Sequence, residues 1–317
     1  MNYKIIKEKM PNLYLYYLKW KFWRQKILVK KLKKYNLQQR KGYIAKMYRK
    51  RTGMTLNWND ITLYTEKMQW AKLFESTEEK TLCADKYAVR EWVKEKIGEQ
   101  YLIPLLGVWN SYEEIPFEKL PKSFVLKTTN GSSTNIIVKN KDKLNYKEVK
   151  TKLKGWLEVD TSYLKGFEMH YSKIKPRIIA EKYIESGTED LPDYKFLCFN
   201  GKVYYCWVDV GRYHDHKRNV YDLNWKLQPW NQYTYGNTKK HISKPDNFEL
   251  MIELATQLCQ GFSHVRVDLY NVKGKIYFGE MTFTNGSGFE AILPEKYNLM
   301  LGNLWKIPGL KEGMTNE

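Results

Sequence analysis

HVRVDLYNVKGKIYFGEMTFTNGSG, running from His264 to Gly288, reads as a β-hairpin that ends in a glycine-rich loop. Two segments rich in β-branched and aromatic residues, His264 to Tyr270 and Lys275 to Thr284, flank Asn271-Val272-Lys273-Gly274, a turn-like tetrad with Gly where a positive φ is often needed. Side chains alternate across a strand, so Arg266 and Asp268 share one face, and Glu280 and Thr282 share one face of the partner. A three-residue loop sets Arg266 opposite Glu280 with Asp268 diagonal to it; other loop lengths shift the register. In that register two carboxylates and a guanidinium converge. Hard cations such as Mg²⁺ are held by one or two carboxylates together with substrate phosphates, which this face can supply. The alternative reading of these two carboxylates and the guanidinium is a structural ion pair on a solvated sheet face. What favours a site is the tail Asn285-Gly286-Ser287-Gly288, a polar loop whose backbone N–H groups can approach an anion.

The chain around this hairpin has 317 residues, enough for a substantial core and two or three subdomains. Its formal charge of +19 is unevenly spread. Residues 1–51 hold 17 Lys and Arg against one acid, Glu8, and the remainder is close to neutral. Cys83, Cys198, Cys206 and Cys259 show no C-x-x-C spacing and no clustered His partners, so they read as free thiols in a reducing compartment. No signal peptide and no apolar run of membrane-spanning length is visible, which points to a cytoplasmic chain, soluble or peripheral.

Within residues 1–51, Leu13, Tyr16, Tyr17, Trp20 and Trp23 recur at helical spacing, followed by Ile27, Leu28 and Leu32. The pattern predicts an amphipathic helix. Basic and aromatic faces suit an anionic membrane surface first, docking on the body second and a single-stranded nucleic acid third. Helices are expected over Leu63 to Phe74 and Thr81 to Ile97; the latter carries Lys86 and Arg90, four apart and on one face. Strands over Ser123 to Lys127 and Asn135 to Lys139 bracket Thr128 to Thr134. This Gly, Ser and Thr hairpin tip can wrap a phosphate, with Lys127 reaching in as a point charge. It is not a P-loop, because no G-K-[ST] follows and no helix starts there. A helix over Tyr146 to Trp156, a buried strand over Pro176 to Ile184, a hairpin over Asp193 to Val210 with an Asn200-Gly201 turn, and a helix over Pro245 to Gln260 complete the pattern. His214 and His216 lack further metal-ligand partners in sequence and read as a polar loop.

Together these pieces resemble the ATP-grasp superfamily, and within it the TupA-like branch associated with teichuronopeptide and other bacterial surface-polymer pathways. The resemblance spans roughly Thr52 to Pro308. It is carried by DKYAVREWV, FVLKTTNGSSTNIIV, KPRIIAEKYIE, DYKFLCFNGK and HVRVDLYNVKGKIYFGEMTFTNGSGF. It implies an α+β ATP-grasp fold, two α+β subdomains clasping ATP, with an N-terminal basic helical extension. The divisions that follow are an arm (1–51), a pre-ATP-grasp region (52–118), a small lid subdomain (119–184) and a C-terminal catalytic subdomain (185–317).

The resemblance also implies the site. Arg90 and Lys127 would bind ATP phosphates under Gly131, Ser132 and Ser133, while Glu181, Lys182, Tyr183 and Ile184 would hold the adenine. Asp268 and Glu280 match the Mg²⁺ carboxylates. Arg266, with Lys195 and Arg212, would be the catalytic set. Many ATP-grasp ligases have Lys where Arg90 stands and Asn where Thr282 stands, so Asn285 becomes the candidate third ligand. The implied activity is ATP-dependent joining of a carboxylate, on a small molecule or a lipid-linked glycan, to an amine such as an amino acid. An ATP-dependent kinase acting on a hydroxyl, a polysaccharide-pathway glycosyltransferase and a non-catalytic adaptor are the competing readings.

Overall fold

The computed structural model describes residues 7, 9–185, 191–211 and 215–310. Two antiparallel sheets organise them. Leu105–Trp109 (β1), Phe124–Thr128 (β2), Asn135–Val138 (β3) and Ile178–Lys182 (β4) form the smaller, in the order β1-β4-β2-β3. Asp193–Phe199 (β5), Lys202–Val210 (β6), Lys217–Asp222 (β7), His264–Val272 (β9) and Lys275–Thr282 (β10) form the larger, in the order β10-β9-β5-β6-β7. A short pair, Asn231–Gln232 (β8) with Ile292–Leu293 (β11), stands beside them. β7 is a strand that the polar RYHDHKR context conceals.

The small sheet buries Phe124, Leu126, Ile178 and Ala180 against Val149 and Leu153 of the helix Tyr146–Glu158 (α6). Each large apolar side chain so buried contributes about 1.5–3 kcal/mol. In the large sheet, Phe196, Val208, Val265 and Val267 point to one face and pack on Phe248, Met251 and Leu254 of the helix Phe248–Leu258 (α8). The other face is divided. Leu197, Phe199 and Trp207 pack with Tyr64 from Tyr64–Phe74 (α3), with Leu301 from Glu295–Leu304 (α9) and with Trp305 just beyond it. Asp193, Lys195, Asp209, Arg218, Arg266 and Asp268 occupy the rest, aligned by the pairings Lys195↔Asp268 and Asp209↔Arg218. Strand alternation therefore yields a sheet that is apolar on one face and half charged on the other.

The register of the opening hairpin differs from the three-residue-loop expectation. The turn is the two-residue Lys273-Gly274, both at positive φ (51° and 81°), closed by Val272↔Lys275. That geometry matches the twist of the flanking strands. Ile276 and Phe278 face the core, and strict alternation would send Glu280 in after them. A bulge at Gly279 shifts the phase by one residue. Glu280 thus lies opposite Asp268 and Thr282 opposite Arg266, while Met281 and Phe283 take the core positions.

Two helical expectations are also revised. The segment over Thr81 to Ile97 is broken into Glu78–Ala84 (α4) and Val89–Lys96 (α5), because Asp85 Oδ1 accepts from Tyr87 N (2.8 Å) and Ala88 N (3.2 Å) in the manner of a cap. Lys86 thereby leaves the helix and no longer shares a face with Arg90. The basic arm forms Pro11–Lys33 (α1) and Leu37–Thr52 (α2), the latter opened by a capping box of Asn36 and Gln39. Leu18, Phe22 and Val29 pack with Val159, and Leu32, Ile44 and Tyr48 with Phe167 and Phe289. Docking on the body, ranked second from sequence, is what this buried stripe does. The four cysteines are buried and unbridged, and among the described residues no helix is long and apolar enough to cross a membrane.

Candidate active site

A cleft of about 540 Å³ is lined by the charged half of the large sheet, by Lys127 and the β2–β3 loop, and by Lys86 and Lys165. On its floor Arg266 grips Asp268 bidentately, Nε to Oδ1 at 2.6 Å and Nη2 to Oδ2 at 2.7 Å. The same Nη2 reaches Thr282 Oγ1 at 3.1 Å and Glu280 Oε1 at 3.4 Å. Lys195 Nζ lies 2.5 Å from Asp193, 2.7 Å from Asp268 and 3.9 Å from Asp209. Arg218 repeats the bidentate grip on Asp209, at 2.6 and 2.8 Å, with His216 Nε2 3.3 Å from the same carboxylate. Four carboxylates and three permanent cations therefore share one sheet face. Burial alone would lower the Lys195 ammonium, but Asp193 and Asp268 outweigh it and hold it above the ordinary lysine value. Burial would likewise raise Asp209, yet Arg218 holds it well below the carboxylate range. Lys195 and Asp209 therefore both stay charged at neutral pH.

Lysines dominate the opposite part of the lining. Lys127 Nζ pairs with Glu181 Oε2 at 2.6 Å. Lys86 Nζ donates to the Gly131 carbonyl, and Lys165 Nζ to Ser132 Oγ. Burial lowers Lys86 from the ordinary lysine value, Glu280 opposes that, and Lys127 and Lys165 add to it, so Lys86 feels all three neighbours. The loop between them places Ser132, Ser133 and Thr134 on the cleft, with Ser133 at φ 61°.

Of the residues expected from sequence, Lys127, Ser132, Ser133, Lys195, Arg266, Asp268 and Glu280 come together here. Gly131 is at its edge through the Lys86 bond. Arg90 does not line the cleft; its guanidinium is held by Glu181 Oε1 at 3.2 Å and the Ile103 carbonyl at 2.9 Å. Glu181 is buried between Arg90 and Lys127, and Lys182, Tyr183 and Ile184 follow it outside the lining. Asn285 Oδ1 accepts from Tyr64 Oη at 2.7 Å in a buried group with His264, so the oxygen expected as third ligand is committed there. Arg212 falls outside the described residues. Lys86, Lys165, Asp193, Asp209 and Arg218 are among the cleft residues that sequence did not single out as a site. Lys86 was visible as a cation beside Arg90, and the Asp85 cap that presents it was the missing signal.

Among the described residues no group of three His, Cys, Asp or Glu side chains forms a metal cage by itself. Asp268 and Glu280, facing each other across a strand pair with all-oxygen donors, fit Mg²⁺, which takes one or two carboxylates and completes its shell with phosphate oxygens and water.

A model of the family described as TupA-like ATPgrasp matches residues 66–306, well over half of the chain. Solved structures of similar fold include a D-alanine–D-alanine ligase from Bacillus anthracis complexed with ATP (17% identity, 64% of this chain and 54% of that one, TM-score 0.36). An L-amino acid ligase from Bacillus licheniformis (16%, 71% and 49%, TM-score 0.44) and a D-alanine–D-alanine ligase from Helicobacter pylori (13%, 76% and 69%, TM-score 0.41) are also similar. The chain spans about half the length of the first of these. No curated protein gives a sequence match. With its two antiparallel sheets, its mixed helices and a matched region that contains every strand of both sheets, the chain belongs to the TupA-like ATPgrasp family and has the α+β ATP-grasp fold.

Proposed function

We propose that the protein is an ATP-dependent carboxylate–amine ligase that works at the inner face of the membrane on a surface-polymer substrate. One observation carries this reading. The cleft sets three lysines and a serine-rich loop against an Asp–Glu pair braced by Lys195 and Arg266. Lys86, Lys127 and Lys165 would hold the ATP phosphates as point charges, and the 131–134 loop would cover them. Asp268 and Glu280 would hold Mg²⁺, whose chemistry there is to offset the phosphate charge. A substrate carboxylate oxygen attacks the γ-phosphorus in line, the bond to ADP breaks, and an acyl phosphate results. The amine then attacks the acyl carbon, loses a proton, and phosphate departs as the amide forms. Arg266 and Lys195 stabilise the negative oxygens that develop in both steps, in a setting that need not reorganise.

The acceptor is a uronic-acid or glutamyl carboxylate, free or on a lipid-linked glycan, and the amine is an amino acid. Support for the acceptor is the TupA-like kinship alone. The test is Mg²⁺-dependent ATP consumption against uronic acids and amino acids, with hydroxylamine as trap. Hydroxamate appearing with ADP and phosphate is the expected result, because only an acyl phosphate is captured. ADP with a phosphorylated sugar and no hydroxamate would make the protein a kinase.

A further inference from the structure

The helix α1 has two stripes. Leu18, Phe22, Val29 and Leu32 are buried against the body. The other stripe, Leu13, Tyr16, Trp20, Trp23 and Ile27, is spaced by three and four residues and is 43–71% exposed. A row of large apolar side chains left in water is unusual on a protein surface and marks an interaction site. Seven Lys and Arg and no acid accompany it within α1. Beside it, a groove of about 510 Å³ between α1 and α6 is floored by Phe22 and Trp23 and ringed by Lys19, Lys147, Lys150 and Lys154. The acids facing this groove are few. Glu158 pairs with Lys26, and Glu113 pairs with Lys150 (3.1 Å) and Lys154 (2.8 Å). At the base of the groove α1 approaches α6 closely because α6 carries Gly155, where a Cβ would lie 2.3 Å from the Phe22 ring.

We propose that the exposed stripe of α1, with the lysine-ringed α1–α6 groove, seats the protein on an anionic phospholipid bilayer. This rests on the membrane location proposed above and is independent of the ligase chemistry. The chemistry selects that occupant. Trp and Tyr settle at headgroup level, Leu and Ile enter the acyl boundary, and long lysine stems cover apolar surface while their ammonium groups stay at the phosphates. At about 1.5 Å per residue the 23-residue helix extends roughly 35 Å, so it lies along the surface. The groove, continuous with the stripe through Trp23, would take one lipid phosphate between α1 and α6.

The test uses the full chain in co-sedimentation with vesicles of phosphatidylcholine alone or mixed with phosphatidylglycerol. The expected result is binding to the mixed vesicles only, weakened by salt. It should fall about tenfold or more in Tyr16→Ser/Trp20→Ser/Trp23→Ser, and by up to about fivefold per residue on replacing Lys147, Lys150 and Lys154 by Gln. Quenching of tryptophan fluorescence by brominated lipid, present in the parent and lost in Trp20→Ser/Trp23→Ser, reports insertion directly. Circular dichroism of the same variants confirms that they fold. No binding by the parent chain, equal binding to neutral vesicles, or undiminished binding by the triple variant overturns the proposal. So does a concentration-dependent dimer, or oligonucleotide binding, that the triple variant abolishes while vesicles are ignored. Vesicle binding without ATP turnover would leave this proposal standing and sink the ligase reading.

Discussion

Replacing Glu280 by Gln separates a metal ligand from a structural ion pair. Structurally the change is small. The Glu280 side chain is 37% exposed and its Arg266 contact is long, at 3.4 Å. A pair so screened is worth at most about 1 kcal/mol. Gln retains the oxygen that accepts from Thr282 Oγ1 at 3.2 Å, and Arg266 keeps its bidentate hold on Asp268. The melting temperature should therefore move by no more than about 2–4 °C. Functionally the change removes one of two negative charges from the proposed Mg²⁺ site. Loss of groups that merely support a ligand already costs about 10–100-fold, so loss of the ligand itself should cost at least about 100-fold in Mg·ATP turnover. The assay pairs a thermal melt with initial rates over a Mg²⁺ titration, and the variant should need far more Mg²⁺. Wild-type rates at the same Mg²⁺ dependence would refute the metal assignment; an unfolded variant would refute the energetic argument.

Lys86→Met should raise KM for ATP about 10–100-fold, the equivalent of one charged hydrogen bond, and by more than Arg90→Met, because Lys86 lines the cleft and Arg90 does not; a larger effect at Arg90 would reverse that ordering. Gly155→Val should cost about 1–3 kcal/mol by forcing α1 away from α6, read as a lower melting temperature and faster proteolysis within α1; unchanged protection would show that the interface yields. Lys72 is fully buried, donates to the Ser287 carbonyl at 2.9 Å, and burial pushes its pKa down to about 7, partly opposed by Glu168. The unfolded chain therefore binds more protons than the native one between about pH 7 and 10.5. Lys72 thus penalises the fold most at and below neutrality, and the penalty fades as pH rises, by up to about 1.4 kcal/mol per unit. Denaturant titrations across that window should show a flatter pH slope for Lys72→Met than for the parent, and parallel slopes would count against the assignment.

Local chemistry made much of this protein legible in one dimension. The Asn200-Gly201 turn specifies a hairpin whichever fold surrounds it, and the strands Asp193–Phe199 and Lys202–Val210 occur where that turn and their alternation require. The sharing of one face by Arg266 and Asp268, and the Gly/Ser loop after Lys127, followed from period-two alternation and turn composition. The phase break in Ile276-Tyr277-Phe278-Gly279-Glu280-Met281-Thr282-Phe283 is also written in the sequence, since apolar positions slip from even to odd numbers across Gly279. That slip marks the bulge that rescues Glu280 from the core.

Other features have no such one-dimensional trace. Lys86 reaches the cleft because Asp85 both caps the next turn and pairs with Arg177, 92 residues away, at 2.8 Å. Asp209 and Arg218 are nine residues apart on different strands, and only the β6–β7 register joins them. Asn285 looks like a ligand in sequence, yet Tyr64, 221 residues earlier, takes its oxygen. The basic arm shows the division most clearly. Its helical period is set by its own residues, but a helix with apolar groups on much of its circumference does not say which stripe is buried. The body decided that by offering Val159 and the gap at Gly155 to Phe22, leaving Trp20 and Trp23 outside. Sequence alone determines what repeats locally, because turn and strand geometry act over a few residues. Partner choice between distant segments is an energy of packing and desolvation, and only the assembled tertiary structure supplies the surfaces among which it is made.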